Sequence, residues 1–308
     1  MRSAALGALV PVLAAVVAVS AAQQRPTFRA VGALVTVEAE VRDGNTLVRG
    51  LKADDFLVTD NGVPQKVESL DVESLPVDLT LVIDTSGSVE SMLDELRLFA
   101  RESAKLLRVD DRFRLMTFSS DVKDLFGLQP ATEVPPVDKI YIDGATSIFD
   151  GVTAALMRTR QGDRRQIVMA FTDGYETNSA LDGSALVSVA KRSDSVLHVF
   201  LIRDAMAMPK PSFPADTRRY WLSRMESDFA VLGEAASATG GRLQELFVRT
   251  QLPSFVRQTL EDQRTSYVLR YAPTGVKPEG WHAIEVRVAG SGRRVRARHG
   301  YFWGTLAK

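Results

Sequence analysis

Cysteine is absent from all 308 residues of the chain. Disulfides, thiol catalysis, thiolate metal sites and a cysteine-linked lipid are therefore excluded. Histidine is nearly as scarce: His198, His282 and His299 are scattered along the chain, and no Ser–His–Asp arrangement can be argued from them. His198 falls inside an apolar strand pattern and reads as a packed residue rather than a metal ligand. There is no net charge, since Lys+Arg and Asp+Glu total 38 each, so no global field points to nucleic acid or an anionic membrane. The P-loop pattern G-x-x-x-x-G-K-[ST] does not occur, which leaves nucleotide hydrolysis of that type without support. Beyond the N-terminal segment no apolar run is long enough to span a bilayer. The chain must be stabilised by its core, and by a metal only if oxygen holds it.

What is present is ordinary globular composition, 45% hydrophobic and 25% charged, in a length suited to about two domains. Residues 1–22 place one Arg before an apolar, Ala-rich run that ends in small residues. This pattern predicts a secretory signal peptide cleaved near Ala22, hence export to the periplasm or the exterior. An uncleaved anchor is the rival reading, against which stand the shortness of the run and its small-residue end.

Residues 25–74 read as short strands. In "ALVTVEAEVRD" Val35, Val37, Ala39 and Val41 alternate with Leu34, Thr36, Glu38 and Glu40, giving one apolar face. Turn signals follow at "DGN" and "DNG". From Leu79 the pattern changes to apolar strands alternating with helices, through 76–265. Helices are expected in "SMLDELRLFARESAKLLR", "SIFDGVTAALMRTR", "DGSALVSVAKRSD", "FAVLGEAASATGG" and "LPSFVRQTLEDQR". This is the grammar of an α/β fold, a doubly wound, mostly parallel sheet covered on both faces. Residues 266–304 return to strands. Neither β-rich end has enough strands to be stable alone, so the two are expected to pack together as one small β-sandwich-like domain.

The chemistry concentrates where strands end. "LTLVIDTSGS" carries a buried strand into Asp84, followed by Ser86 and Ser88; "MAFTDG" carries another into Asp173; "DGATS" places Thr146 on a loop before a helix. Ligands of open parallel sheets bind at the carboxyl ends of the strands. Two carboxylates and three hydroxyls there make an oxygen-only donor set, which suits Mg²⁺, with Mn²⁺ and Ca²⁺ meeting the same donors. Gly87 is expected to let the loop bend.

"DTSGS", with the threonine of "GATS" and the aspartate of "FTDG", resembles the metal-ion-dependent adhesion site of von Willebrand factor type A domains. The flanking segments, from about Thr27 to Trp303, resemble an exported bacterial family usually called VWFA-related. The resemblance implies a von Willebrand factor A fold. It implies Asp84, Ser86, Ser88 and Thr146 as metal ligands, with Asp173 bound directly or through water. It also implies metal-dependent binding of a protein or other ligand that offers a carboxylate. One departure is Ala145, where relatives more often have glycine.

An aspartic protease has two aspartates that share a proton, but the second motif here is "FTDG" and the surrounding grammar is α/β. A metal hydrolase lacks an evident general base. A scaffold whose metal only stabilises the fold is the remaining rival. Glu176 and Asp143 lie close to the site in sequence, as supporting groups or as acidic surface. "RRVRARHGYF" reads as a strand with Val295 and Ala297 inward and solvated arginines, in preference to a polyanion site. Finally, residues 203–228 follow a strand and are long for a connection. Arg219, Tyr220 and Trp221 in its second half are residue types enriched at binding hot spots, and are expected to form a rim that selects the partner.

Overall fold

The computed structural model describes residues 34–72, 75–158, 164–203, 212–246, 252–290 and 292–303. The expected signal peptide lies outside them. Residues 34–308 form one unit by internal contacts.

The central sheet has six strands: β6 (Val77–Asp84), β7 (Arg112–Phe118), β8 (Val122–Pro130), β9 (Arg165–Thr172), β10 (Val196–Ile202) and β11 (Arg242–Leu246), in the order β11-β10-β9-β6-β7-β8. All pairings are parallel except β7 with β8. Every residue of β6 and of β10 is buried, which explains why both read as continuous apolar runs rather than alternating ones. Helices α1 (Leu93–Lys105) and α5 (Leu252–Arg264) pack on one face through Leu96, Phe99, Val256 and Leu260. Helices α2 (Ile148–Leu156), α3 (Gly183–Arg192) and α4 (Ala215–Ala238) pack on the other through Ile148, Leu186 and Leu232. The strand order reverses at β6 and β9. That makes their carboxyl ends the switch point where such sheets open a ligand crevice.

The terminal segments build two antiparallel sheets. One holds β1 (Val35–Asp43), β2 (Thr46–Leu47), β5 (Ser69–Asp71), β12 (Tyr267–Tyr271) and β14 (Arg293–Ala297). The other holds β3 (Phe56–Asp60), β4 (Val63–Gln65), β13 (Gly280–Val288) and β15 (Gly300–Trp303). β1 lies between β12 and β14, with Val37 opposite Leu269 and Val41 opposite Val295. Val37, Ala39, Leu269 and Tyr271 of the first sheet share a core with Phe56, Val58 and Ile284 of the second. N- and C-terminal residues thus interleave strand by strand.

Three expectations change. Helix α4 begins at Ala215, not near Phe229, so most of the described part of the long connection is helical. Its first half buries only Met225 and Asp228, and a stretch that is polar nearly all round leaves no apolar stripe to read. The strand β11 was not expected at all: "RLQEL" is a sheet-edge strand that buries only Leu246. Third, "RRVRARHGYF" is two strands, not one. β14 pairs with β1 and β15 with β13. The switch between sheets occurs just before Gly300, where an added Cβ would lie 2.2 Å from the His282 carbonyl oxygen.

Candidate metal centre

Asp84 and Thr172 are the last residues of the adjacent parallel strands β6 and β9. The chain direction therefore brings the "DTSGS" and "FTDG" loops side by side. Asp84 Oδ1 accepts from the Ser86 backbone N–H at 2.9 Å and from Ser86 Oγ at 2.6 Å. Asp84 Oδ2 accepts from Thr172 Oγ1 at 2.7 Å. Ser86 and Ser88 hydroxyls lie 3.0 Å apart. A serine hydroxyl that donates its proton to a carboxylate keeps its lone pairs for a cation. Thr172 is a functional neighbour that the sequence reading missed. Its only signal was its place immediately before Asp173 at the strand end.

The loop of Thr146 docks onto the first loop by backbone bonds. Asp143 N–H donates to Thr85 O at 2.8 Å and Gly87 N–H to Gly144 O at 3.2 Å. Gly87 is not in the left-handed region, so its contribution is this close approach and not a bend. Gly144 has φ +63°, and a Cβ there would sit 2.1 Å from Ser120 Oγ. The same hydroxyl accepts from Ala145 N–H at 2.9 Å. Ala145 has no positive φ, so alanine is unstrained here. Thr146 itself is buried, and its carbonyl accepts from Thr177 and Asn178 N–H groups at 3.0 Å.

Glu176 is no surface acid. It is 5% exposed. One oxygen accepts from Ile148 and Phe149 N–H groups at the start of α2, and the other from Asn178 and Ser179 N–H groups at 2.8 Å each. A carboxylate at a helix N-terminus satisfies orphan donors and complements the dipole. It thereby fixes the second and third loops to each other. Asp143, in contrast, is a surface group that faces Lys123 at 3.6 Å.

The two site aspartates are electrostatically unresolved without a cation. Burial first, and then the nearby Asp173 charge, push the Asp84 carboxyl up to about 7. Burial also raises Asp173, partly offset by the Ser88 hydroxyl. Asp173 Oδ1 accepts from Tyr175 N–H at 3.3 Å, but Oδ2 is buried with no hydrogen-bond partner. Among the described residues no group of three or more His, Cys, Asp or Glu is placed to hold a metal ion, and most of the oxygen donors at this site are hydroxyls. A buried carboxylate oxygen without a partner costs free energy. Beside a second carboxylate and three hydroxyl side chains, it fits a small hard cation.

The expected rim lies on α4. Trp221 stacks on Tyr175, two residues past Asp173, with ring centroids 5.0 Å apart. Tyr220 is 60% exposed, and Arg219 is exposed and paired with Asp216 of its own helix. Trp221 therefore ties α4 to the "FTDG" loop, while Tyr220 and Arg219 face outward.

A mostly parallel α/β sheet thus carries hydroxyls and two aspartates at its switch point. Residues 78–208 match the sequence profile of the von Willebrand factor type A domain, and the chain carries a domain of that family. No match was found among curated proteins. Similar solved structures include a von Willebrand factor type A protein from Catenulispora acidiphila (10% identity, covering 90% of this chain and 74% of that one, TM-score 0.48). Others are the open pilus adhesin SpaC of Lactobacillus rhamnosus GG (10%, 86% and 47%, 0.47) and the minor pilin PilB of Streptococcus sanguinis (13%, 62% and 62%, 0.41). The chain thus spans less than two thirds of the length of the latter two.

Proposed function

We propose that the chain is an exported, non-catalytic binding module whose α/β domain holds one divalent cation, Mg²⁺ in the first instance. The observation that carries this reading is the unpartnered, buried Oδ2 of Asp173 beside Asp84. Asp84, Ser86, Ser88 and Thr146 would hold the ion, with Asp173 contributing directly or through water. Bound there, the ion supplies a positive charge and an open position for a carboxylate of the partner. The chain's own contribution is preorganisation. Thr172 and Ser86 orient Asp84, Glu176 locks the loops of Thr146 and Asp173 together, and Ser120 holds the Thr146 loop from its other side.

Partner selection falls to the surface beside the ion. Trp221, fixed against Tyr175, supports the first turns of α4, and Tyr220 and Arg219 offer an aromatic face and a guanidinium to an acidic partner. Among the described residues no helix is long and apolar enough to cross a membrane.

The test is capture from the envelope fraction of the parent cell on immobilised protein, in Mg²⁺ and in EDTA, with Asp84→Asn as control. Capture that requires both Mg²⁺ and Asp84 is expected. Capture unchanged by EDTA would instead favour the scaffold role.

A further inference from the structure

A cleft of about 1020 Å³ lies between the outer face of the β1–β14 ladder and the edge of the central sheet. None of its lining residues belongs to the metal loops. One wall comes from β1 and β14, where Glu40 is opposite Arg296 and Arg42 opposite Arg294. Directly paired residues of antiparallel strands project from the same face. The other wall comes from Arg242 and Gln244 of β11 and Asp262 of α5.

The charges do not balance. Five arginines line the cleft against three carboxylates: Arg298 joins the four already named, and Glu285 joins Glu40 and Asp262. Glu285 is engaged by Arg287 at 2.5 Å, and Arg298 by Asp194 at 3.4 Å, both from outside the lining. That leaves four guanidinium groups around two carboxylates. Asp262 Oδ2 accepts from Arg42 at 2.6 Å and is 3.4 Å from Arg242. Glu40 accepts from Arg42 at 2.6 Å and from Arg296 at 3.3 Å. Among the described residues Arg294 reaches only a neutral acceptor, the Gly44 carbonyl, at 2.9 Å. Both carboxylates are buried, at 5% and 1% exposure, so they act as fixed anchors that aim the forks. Burial and then the Arg296 charge hold the Arg242 guanidinium below its ordinary value. His198 behind this wall is pushed down to about 3 by burial and by the same arginines, so it stays neutral and adds no charge.

We propose that this cleft binds a multivalent oxyanion, a ligand carrying two or more carboxylate, sulfate or phosphate groups, between Arg42, Arg242, Arg294 and Arg296. Guanidinium forks grip such groups bidentately, and the volume is that of a ligand pocket rather than a single-ion site. The site is independent of the metal centre. The contrary view is that these arginines only tie the sheets together.

Calorimetric titration of the metal-free chain with pyrophosphate and with citrate decides between them, against sodium chloride of equal ionic strength. A short peptide with aspartates at alternate positions is the third probe, and distinguishes a chain-like ligand from a small one. Metal is omitted because both small probes chelate it. At least one probe should bind saturably with one-to-one stoichiometry and more tightly than inorganic phosphate. Arg294→Gln, at an exposed position where folding is not at stake, and Arg242→Gln should each weaken it about tenfold or more, while Asp84→Asn leaves it unchanged. No saturable binding of any probe overturns the proposal. So does equal affinity in Arg294→Gln, or loss in Asp84→Asn.

Discussion

At the scale of single residues, Asp84 is held in a state that disfavours the metal-free fold. Its carboxyl sits near 7 in the folded protein against an ordinary value of 3.8. A raised folded value means that the folded state binds the extra proton. Without metal, the stability contributed by the Asp84 carboxyl, read as the difference between the parent and Asp84→Asn, should therefore be fully present below about pH 4. It should decline as pH rises to about 7 and then level off, a loss on the order of a few kcal/mol. Buried His198, held down to about 3, acts with the opposite sign but equally in both proteins. Chemical denaturation of the parent and of Asp84→Asn in EDTA across that range checks it, and a difference between the two that stays constant from pH 4 to 7 would contradict it. Asp84→Asn removes the buried charge while an amide retains partners in Ser86 and Thr172. In EDTA at pH 8 this variant should melt above the parent, although it can no longer answer to metal. Such a gain of stability on loss of function marks a strained functional site.

Elements show how much was legible beforehand. The loops of Asp84 and Asp173 could be read because each begins at an abrupt change from apolar strand to small polar residues, as in "LVIDTSGS" and "MAFTDG". Their supports could not. Thr172 looks like a strand residue, Ser120 acts across loops that are distant in sequence, and Glu176, though named as close to the site, could not be told there from acidic surface. β11 and the first half of α4 were hidden because little of either is buried, and periodicity records only burial. The packing of the two ends was foreseeable from strand number, but the residue that pins them was not. Asp60, wholly buried at the end of β3, accepts from Tyr271 and Tyr301 at 2.9 and 2.8 Å and contacts His282 Nδ1 at 2.7 Å. Asp60→Ala strands these buried donors and should cost at least about 3 kcal/mol, measured by urea denaturation. A loss no larger than that of a surface substitution would show that the network is not a pin.

On the scale of the whole molecule, the interleaved ends make the terminal sheets a single object. Removing residues 25–74 takes away β1, the strand between β12 and β14, and uncovers Leu269 and Tyr271. That truncated protein should aggregate during size-exclusion chromatography, and a stable monomer would contradict the shared core. The candidate metal centre lies at the switch point of the central sheet, whereas the arginine cleft lies along that sheet's β11 edge. Ligands at the two sites should bind independently. For the rim, Tyr220→Ala and Arg219→Ala should weaken an identified partner while leaving the response to Mg²⁺ intact. Trp221→Ala should do the same by releasing α4 from Tyr175.

Asp84, its neighbouring hydroxyls and Asp173 are proposed to hold a divalent cation. Thermal unfolding of the parent chain and of Asp84→Asn, each in EDTA and in a series of Mg²⁺ concentrations, tests it most directly. The account predicts a midpoint for the parent that climbs with Mg²⁺, corresponding to about 2.7 kcal/mol once the ion is at a hundred times its dissociation constant, and a midpoint for the variant that does not move. A parent midpoint indifferent to Mg²⁺, Mn²⁺ and Ca²⁺, or an equal climb in the variant, would contradict it.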